Sequence, residues 1–140
     1  MSQAIAPYNA HILVVAGTVP DYVVLARQLA FMGVIHCEWK TSGWQVVQFA
    51  DTLPRLHLIL MDIHLPYEDP YQTLSKMRQH PRLRDTRIVA ISANGDREEI
   101  AQVRAAGFDG LLRKPLDPDQ FPEQIRRLLA GEAVWPEPHA

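Results

Sequence analysis

The chain has 140 residues, 47% of them hydrophobic and 21% charged, with a net charge of −2. That size and balance suit one globular domain and exclude a disordered tail protein, a fibrous repeat or a basic nucleic-acid binder. Cys37 is the single cysteine, the first residues lack a secretory leader pattern, and no apolar stretch reaches the ~20 residues of a bilayer span. A cytoplasmic domain with neither nucleic acid nor membrane as partner is expected.

Apolar runs alternate with helical patterns. Residues 11–16 form a short, β-branched run ended by Gly17, as a buried parallel strand should. From Pro20-Asp21 the spacing turns helical, with Leu25, Leu29 and Met32 on one face. Residues 34–39 alternate more and predict a strand nearer a sheet edge, and 44–50 predict a short helix closed by the Pro54 segment. Residues 56–61 are the most apolar run and stop at Asp62; Pro66, Asp69 and Pro70 then mark a loop before a helix over 71–78. A strand over 87–92 leads through Asn94-Gly95-Asp96, a loop and cap, into a helix over 97–106 stopped by Gly107. A brief strand over 110–113 is broken by Lys114-Pro115, and a last helix runs over 119–129 with Ile125, Leu128 and Leu129 on one face.

Five strands alternating with five helices predict an α/β fold, a doubly wound five-stranded parallel sheet of order 2-1-3-4-5 with helices on both faces. It would occupy residues 10–130 as one domain, followed by a short tail, 131–140, with no output domain. Ligands in such sheets bind beyond the carboxyl ends of the strands. That singles out Ala16-Gly17-Thr18, Asp62-Ile63-His64, Ser92-Ala93 and Lys114-Pro115.

A carboxylate ending the central strand can act as a nucleophile and form an acyl phosphate with a donor phosphoryl group. It can equally cap the loop that follows. The Lys114 ammonium can reach phosphate oxygens on Asp62 as a compact point charge, or pair with an unrelated carboxylate. Ser92 offers a hydroxyl to the same oxygens, although serine is common at strand ends.

Taken together, these residues resemble the response-regulator receiver domains of two-component signalling, which have a flavodoxin-like fold. The likeness covers residues 10 to 130. It rests on Leu58-Ile59-Leu60-Met61-Asp62-Ile63-His64-Leu65-Pro66, on Val89-Ala90-Ile91-Ser92-Ala93, and on Ala105-Ala106-Gly107-Phe108-Asp109-Gly110 followed by Lys114-Pro115. The resemblance implies that Asp62 is the phosphoacceptor, that Lys114 contacts the phosphate, and that Ser92 binds a phosphoryl oxygen and shifts on activation. It also implies a cis Lys114-Pro115 bond, a sensor histidine kinase or phosphotransfer protein as donor, and a downstream protein target. The chain would be a phosphorelay signal-transduction module rather than a turnover enzyme. The family's usual partner surface would include Phe108, Arg113 and Gln120, and a homodimer stays open.

Two features depart from the family, at three positions. Its Mg²⁺ is held by two adjacent acids after the first strand together with the phosphoacceptor, and those positions are Ala16 and Gly17 here. Deleting carboxylates about 4 Å from a cation forfeits several kcal/mol each at an effective dielectric of ~20. Mg²⁺, which usually takes carboxylate oxygens, is therefore expected to bind weakly if at all. Asp21, Glu68 and Asp69 are the nearby acids that could substitute; the His64 backbone carbonyl keeps the remaining ligand position, and its imidazole is expected in solvent. The aromatic switch position is Leu111, whose smaller contact difference predicts a weaker population shift.

Two other readings remain at this point. One is a degenerate receiver acting as a phosphorylation-independent interaction module. The other is a small-molecule or cofactor-binding domain: Asp62-Ile63-His64 is similar to the Asp-x-His of cobalamin-binding domains, but Tyr67 stands where that motif needs glycine. The loop after the first strand holds only fragments of a flavin phosphate cradle. Elsewhere, Arg78, Arg82, Arg84 and Arg87 predict a solvated basic face, and Trp39 and Trp44 predict packing around the second loop. Trp135, in a Pro-bounded tail, predicts packing back on the domain or a dimer contact. The six histidines show no metal-type spacing.

Overall fold

Strands β1 (His11–Val15), β2 (His36–Lys40), β3 (Leu58–Asp62), β4 (Arg87–Ser92) and β5 (Gly110–Arg113) alternate with helices α1 (Val19–Phe31), α2 (Gly43–Gln48), α3 (Pro70–Gln79), α4 (Arg97–Ala106) and α5 (Phe121–Leu129). The computed structural model describes residues 4–137, so the outermost residues of the predicted tail, 138–140, and of the N-terminus, 1–3, lie outside it. Every strand pairing is parallel, in the order β2-β1-β3-β4-β5.

Burial explains that order. Residues 12–15 of β1 and 58–61 of β3 are apolar on both faces and fully buried, so these strands have to be interior and covered on each side. Leu13, Ile59 and Ile88 join the layer with Leu74, Met77 and Val103; Ile12, Leu58 and Leu60 join the layer with Leu29, Ile125 and Leu128. β2, His-Cys-Glu-Trp-Lys, is only partly buried and takes the edge. It begins two residues later than predicted because Gly33 and Val34 still donate backbone hydrogen bonds to Ala30 and Leu29 at the exit of α1. α5 likewise starts at Phe121, since Asp119 and Gln120 belong to a turn closed on Asp117.

Side-chain caps fix where the helices begin. Thr18 accepts from the Asp21 N–H, Ser42 from Gln45, Asp69 from Tyr71 and Asp96 from Glu99. All four caps sit in the loops that leave strand ends, which gathers helix N-termini around the carboxyl edge of the sheet.

The arginines are not a solvated face. Arg78 donates to the carbonyls of Arg84 (3.2 Å), Thr86 (2.7 Å) and Gly107 (3.0 Å) and pairs with Asp109 at 2.8 Å. Arg82 donates to Ala50 and Leu53, and Arg87 to Glu132. Carbonyls at element ends lack helical partners, and the fork of guanidinium donors supplies them. Arg84 alone of the four matches the expectation of an exposed side chain with no such duty.

Trp39 packs as predicted, stacked on Tyr22 at 4.8 Å with its indole N–H donating to the Ala16 carbonyl. Trp44 does not: it is 53% exposed. After α5 the chain returns along β5, where Val134 bridges Gly110 and its carbonyl accepts from the Leu111 N–H at 2.9 Å. Trp135 packs on the apolar layer beneath the Arg104 guanidinium, 4.7 Å from it. Gly110 is required there, since a Cβ would stand 2.6 Å from the Val134 carbonyl oxygen. Among the described residues, no helix is long and apolar enough to cross a membrane.

Candidate functional site

Asp62 ends β3 and is paired in register with Ile91 of β4, at the carboxyl edge of the sheet. Its side chain is 12% exposed. Oδ2 accepts from Lys114 Nζ at 2.8 Å, and Oδ1 accepts from the His64 N–H at 2.8 Å. Lys114 is fixed from the other side by its own backbone N–H, which donates to the Ser92 carbonyl at 2.8 Å. Its peptide bond to Pro115 is cis. A carboxylate this buried needs a counter-charge, and Lys114 provides it. Two of the three residues predicted to converge therefore touch.

The third is turned away. Ser92 is fully buried, and its hydroxyl donates to Glu99 Oε1 while accepting from the Asn94 N–H at 3.0 Å. His64 Nε2 stands 3.0 Å from Ser92 Oγ and 2.9 Å from Glu99 Oε2. The His64 ring, expected in solvent, is thus half-exposed but engaged on its inner edge. Glu99, 9% exposed, also accepts from the Gly95 N–H at 2.9 Å. Sequence reading did not single out Glu99. Its signal is the Asp96-x-x-Glu99 spacing of a capping pattern, in which an acid at the third helical position reaches back to the loop.

The acids that could replace the missing pair are mostly engaged elsewhere. Glu68 accepts from the Gly43 and Trp44 N–H groups, both at 2.9 Å, at the start of α2. Asp69 caps α3 through Tyr71. Asp21 holds the Thr18 hydroxyl at 2.8 Å and is the one of the three that lines the cleft above Asp62. Among the described residues, no group of three or more His, Cys, Asp or Glu side chains could hold a metal ion. Mg²⁺ demands near-octahedral oxygen ligands. With Ala16 and Gly17 after β1, the acidic pair that would join Asp62 on such an ion is missing.

A cleft of about 560 Å³ opens over Asp62 and Lys114, walled by Ala16, Val24, Leu25, Ile91 and Leu116. Gly17 lets the loop after β3 lie close, because a Cβ there would come within 3.1 Å of Leu65 and 3.2 Å of the Tyr67 hydroxyl. That hydroxyl donates to the Thr41 carbonyl. Burial first, then the charges of Glu68 and Asp62, push its pKa up, so it stays a neutral donor at physiological pH. Leu111 is buried in the layer beside Ile100 and Phe108. Phe108 is itself buried, edge-on to Tyr71, and Arg113 is tied to the Gly95 and Glu137 carbonyls. Of the three residues expected on a partner surface, only Gln120 is exposed.

A family model described as the response regulator receiver domain matches residues 13–126. The chain is 36% identical over 92 residues to the response regulator Rre1 of Synechocystis, covering 66% of this chain and 38% of Rre1. It is 30% identical over 97 residues to the nitrate/nitrite response regulator protein NarL of Escherichia coli, covering 69% of this chain and 44% of NarL. The match thus spans less than half the length of either relative. The chemotaxis response regulator CheY4 of Vibrio cholerae shares the fold, with a TM-score of 0.74 at 20% identity over 85% of this chain and 98% of that one. A family match over most of the length, on a sheet of the expected order, leads to one conclusion: this chain belongs to the response regulator receiver domain family, whose members are signalling modules rather than enzymes.

Proposed function

We propose that this receiver accepts a phosphoryl group on Asp62 from a sensor histidine kinase or a phosphotransfer protein and signals to a downstream protein through surface contacts. The observation that supports it is the 2.8 Å Asp62–Lys114 pair at the floor of an open cleft. An Asp62 oxygen attacks the phosphorus of a donor phosphohistidine. The O–P bond forms as the N–P bond breaks, and the electron pair stays on the imidazole nitrogen, which takes a proton from water. Lys114, on a flexible four-carbon stem, follows the charge from the carboxylate onto the phosphoryl oxygens. Residues 10–130 form the receiver unit, and 131–137 pack on it.

The test is incubation with acetyl phosphate followed by mass measurement. The wild-type chain is expected to gain a phosphoryl mass that Asp62→Ala does not. An unmodified wild type would favour the second reading, a phosphorylation-independent interaction module, to which the Ala16-Gly17 replacement points.

Receiver domains typically use Mg²⁺ at this place, and here we expect it to be absent. Mg²⁺ titrated to millimolar levels is expected to leave the amide NMR signals of Asp62 and His64 unmoved. A saturable shift confined to those residues would show that Asp21 or backbone carbonyls complete a site after all.

A further inference from the structure

Glu99 is a nearly buried carboxylate with no part in the chemistry above, yet it controls the only hydrogen on Ser92. A serine hydroxyl has one hydrogen and two lone pairs. That hydrogen lies toward Glu99 Oε1, and the Asn94 N–H takes a lone pair of the oxygen. His64 Nε2 faces the other carboxylate oxygen, Oε2, at 2.9 Å and has to carry a hydrogen to do so. That hydrogen is shared with Ser92 Oγ, 3.0 Å away. No hydrogen of Ser92 is left for a phosphoryl oxygen on Asp62.

The same geometry excludes a hydrolytic triad. A general base would present a bare nitrogen to the serine and its other ring nitrogen to the acid, whereas here both partners meet Nε2. The network instead joins the two halves of the site. The His64 backbone N–H holds Asp62, its ring holds Glu99, and Glu99 holds both Ser92 and the Gly95 N–H at the start of α4.

We propose that Glu99 and His64 are positioning residues of the phosphoryl-accepting site: in the unmodified protein they latch the Ser92 hydroxyl away from Asp62. The phosphorylated state forms when that hydroxyl leaves Glu99 for a phosphoryl oxygen. Loosening the latch therefore favours phosphorylation. This inference rests on Asp62 being the acceptor.

The experiment compares the full-length wild type with His64→Ala and Glu99→Ala at a limiting acetyl phosphate concentration. His64→Ala removes a half-exposed ring and keeps the backbone N–H on Asp62, so it tests the latch even where Glu99→Ala fails to fold. Each folded variant is expected to raise the ratio of phosphorylated to free protein by about tenfold, the factor one hydrogen bond to a charged group contributes. The amides of Ser92, Asn94 and Gly95 in the unmodified variants should also move along the direction that phosphorylation moves them. A purely structural role for Glu99 would lower the thermal midpoint and leave that ratio unchanged. A phosphoryl mass present in all three proteins at one ratio overturns the latch alone. No phosphoryl mass in any of them overturns the acceptor reading on which it rests.

Discussion

Lys114→Met is expected to slow acetyl phosphate modification of Asp62 by on the order of 10²-fold, the usual loss when one preorganised donor to a developing anion is removed. Methionine keeps the length of the side chain and removes its charge. Asp62, 12% exposed, would retain only the His64 N–H as donor. Because Lys114 itself is 32% exposed, solvent replaces part of what is lost, and the stability cost is about 1–2 kcal/mol rather than that of a fully buried pair. Mass spectra over time give the rate, and urea midpoints give the stability. A Lys114→Met protein modified at the wild-type rate would mean that another cation serves the phosphoryl group.

The largest stability effect is expected at Arg78, far from that cleft. Its guanidinium ties α3 to the turn before β4 and to the loop before β5 through three carbonyls and the Asp109 carboxylate. Asp109 also accepts from the Ile88 N–H, so the pair pins the start of β4. Arg78→Ala is expected to cost about 3 kcal/mol, since a half-buried carboxylate and several carbonyls lose their donor together. Arg78→Lys should recover only part, because an ammonium cannot reproduce the fork. Urea unfolding at unchanged slope measures it. A loss under about 0.5 kcal/mol would restore the solvated-face reading of this cluster.

Much of the fold could be read from residue pattern because its strands are buried on both faces, and runs such as Leu58 to Met61 have no other place to go. Boundaries were less legible. The start of β2 depends on how α1 unwinds through Gly33, and that of α5 on the Asp117 turn, and neither leaves a mark in periodicity. Asp62 and Lys114 were identifiable by position, each lying just past an apolar run. The orientation of the Ser92 hydroxyl was not, because it depends on Glu99, a residue that sequence spacing presents as an ordinary helix-start acid. The arginines misled for a related reason: a charge run on a helix usually faces water, and nothing local reveals that carbonyls from three other segments are waiting for a donor.

The segment that returns beside β5 has a consequence for assembly. An outer strand normally presents a row of unsatisfied N–H and C=O groups to any passing chain, and Val134 occupies that border at Leu111. Strand-on-strand adhesion is therefore blocked at the start of β5, over Gly110 and Leu111. The opposite flank, β2, is guarded by the ionic side chains of Glu38 and Lys40 instead of by a covering segment.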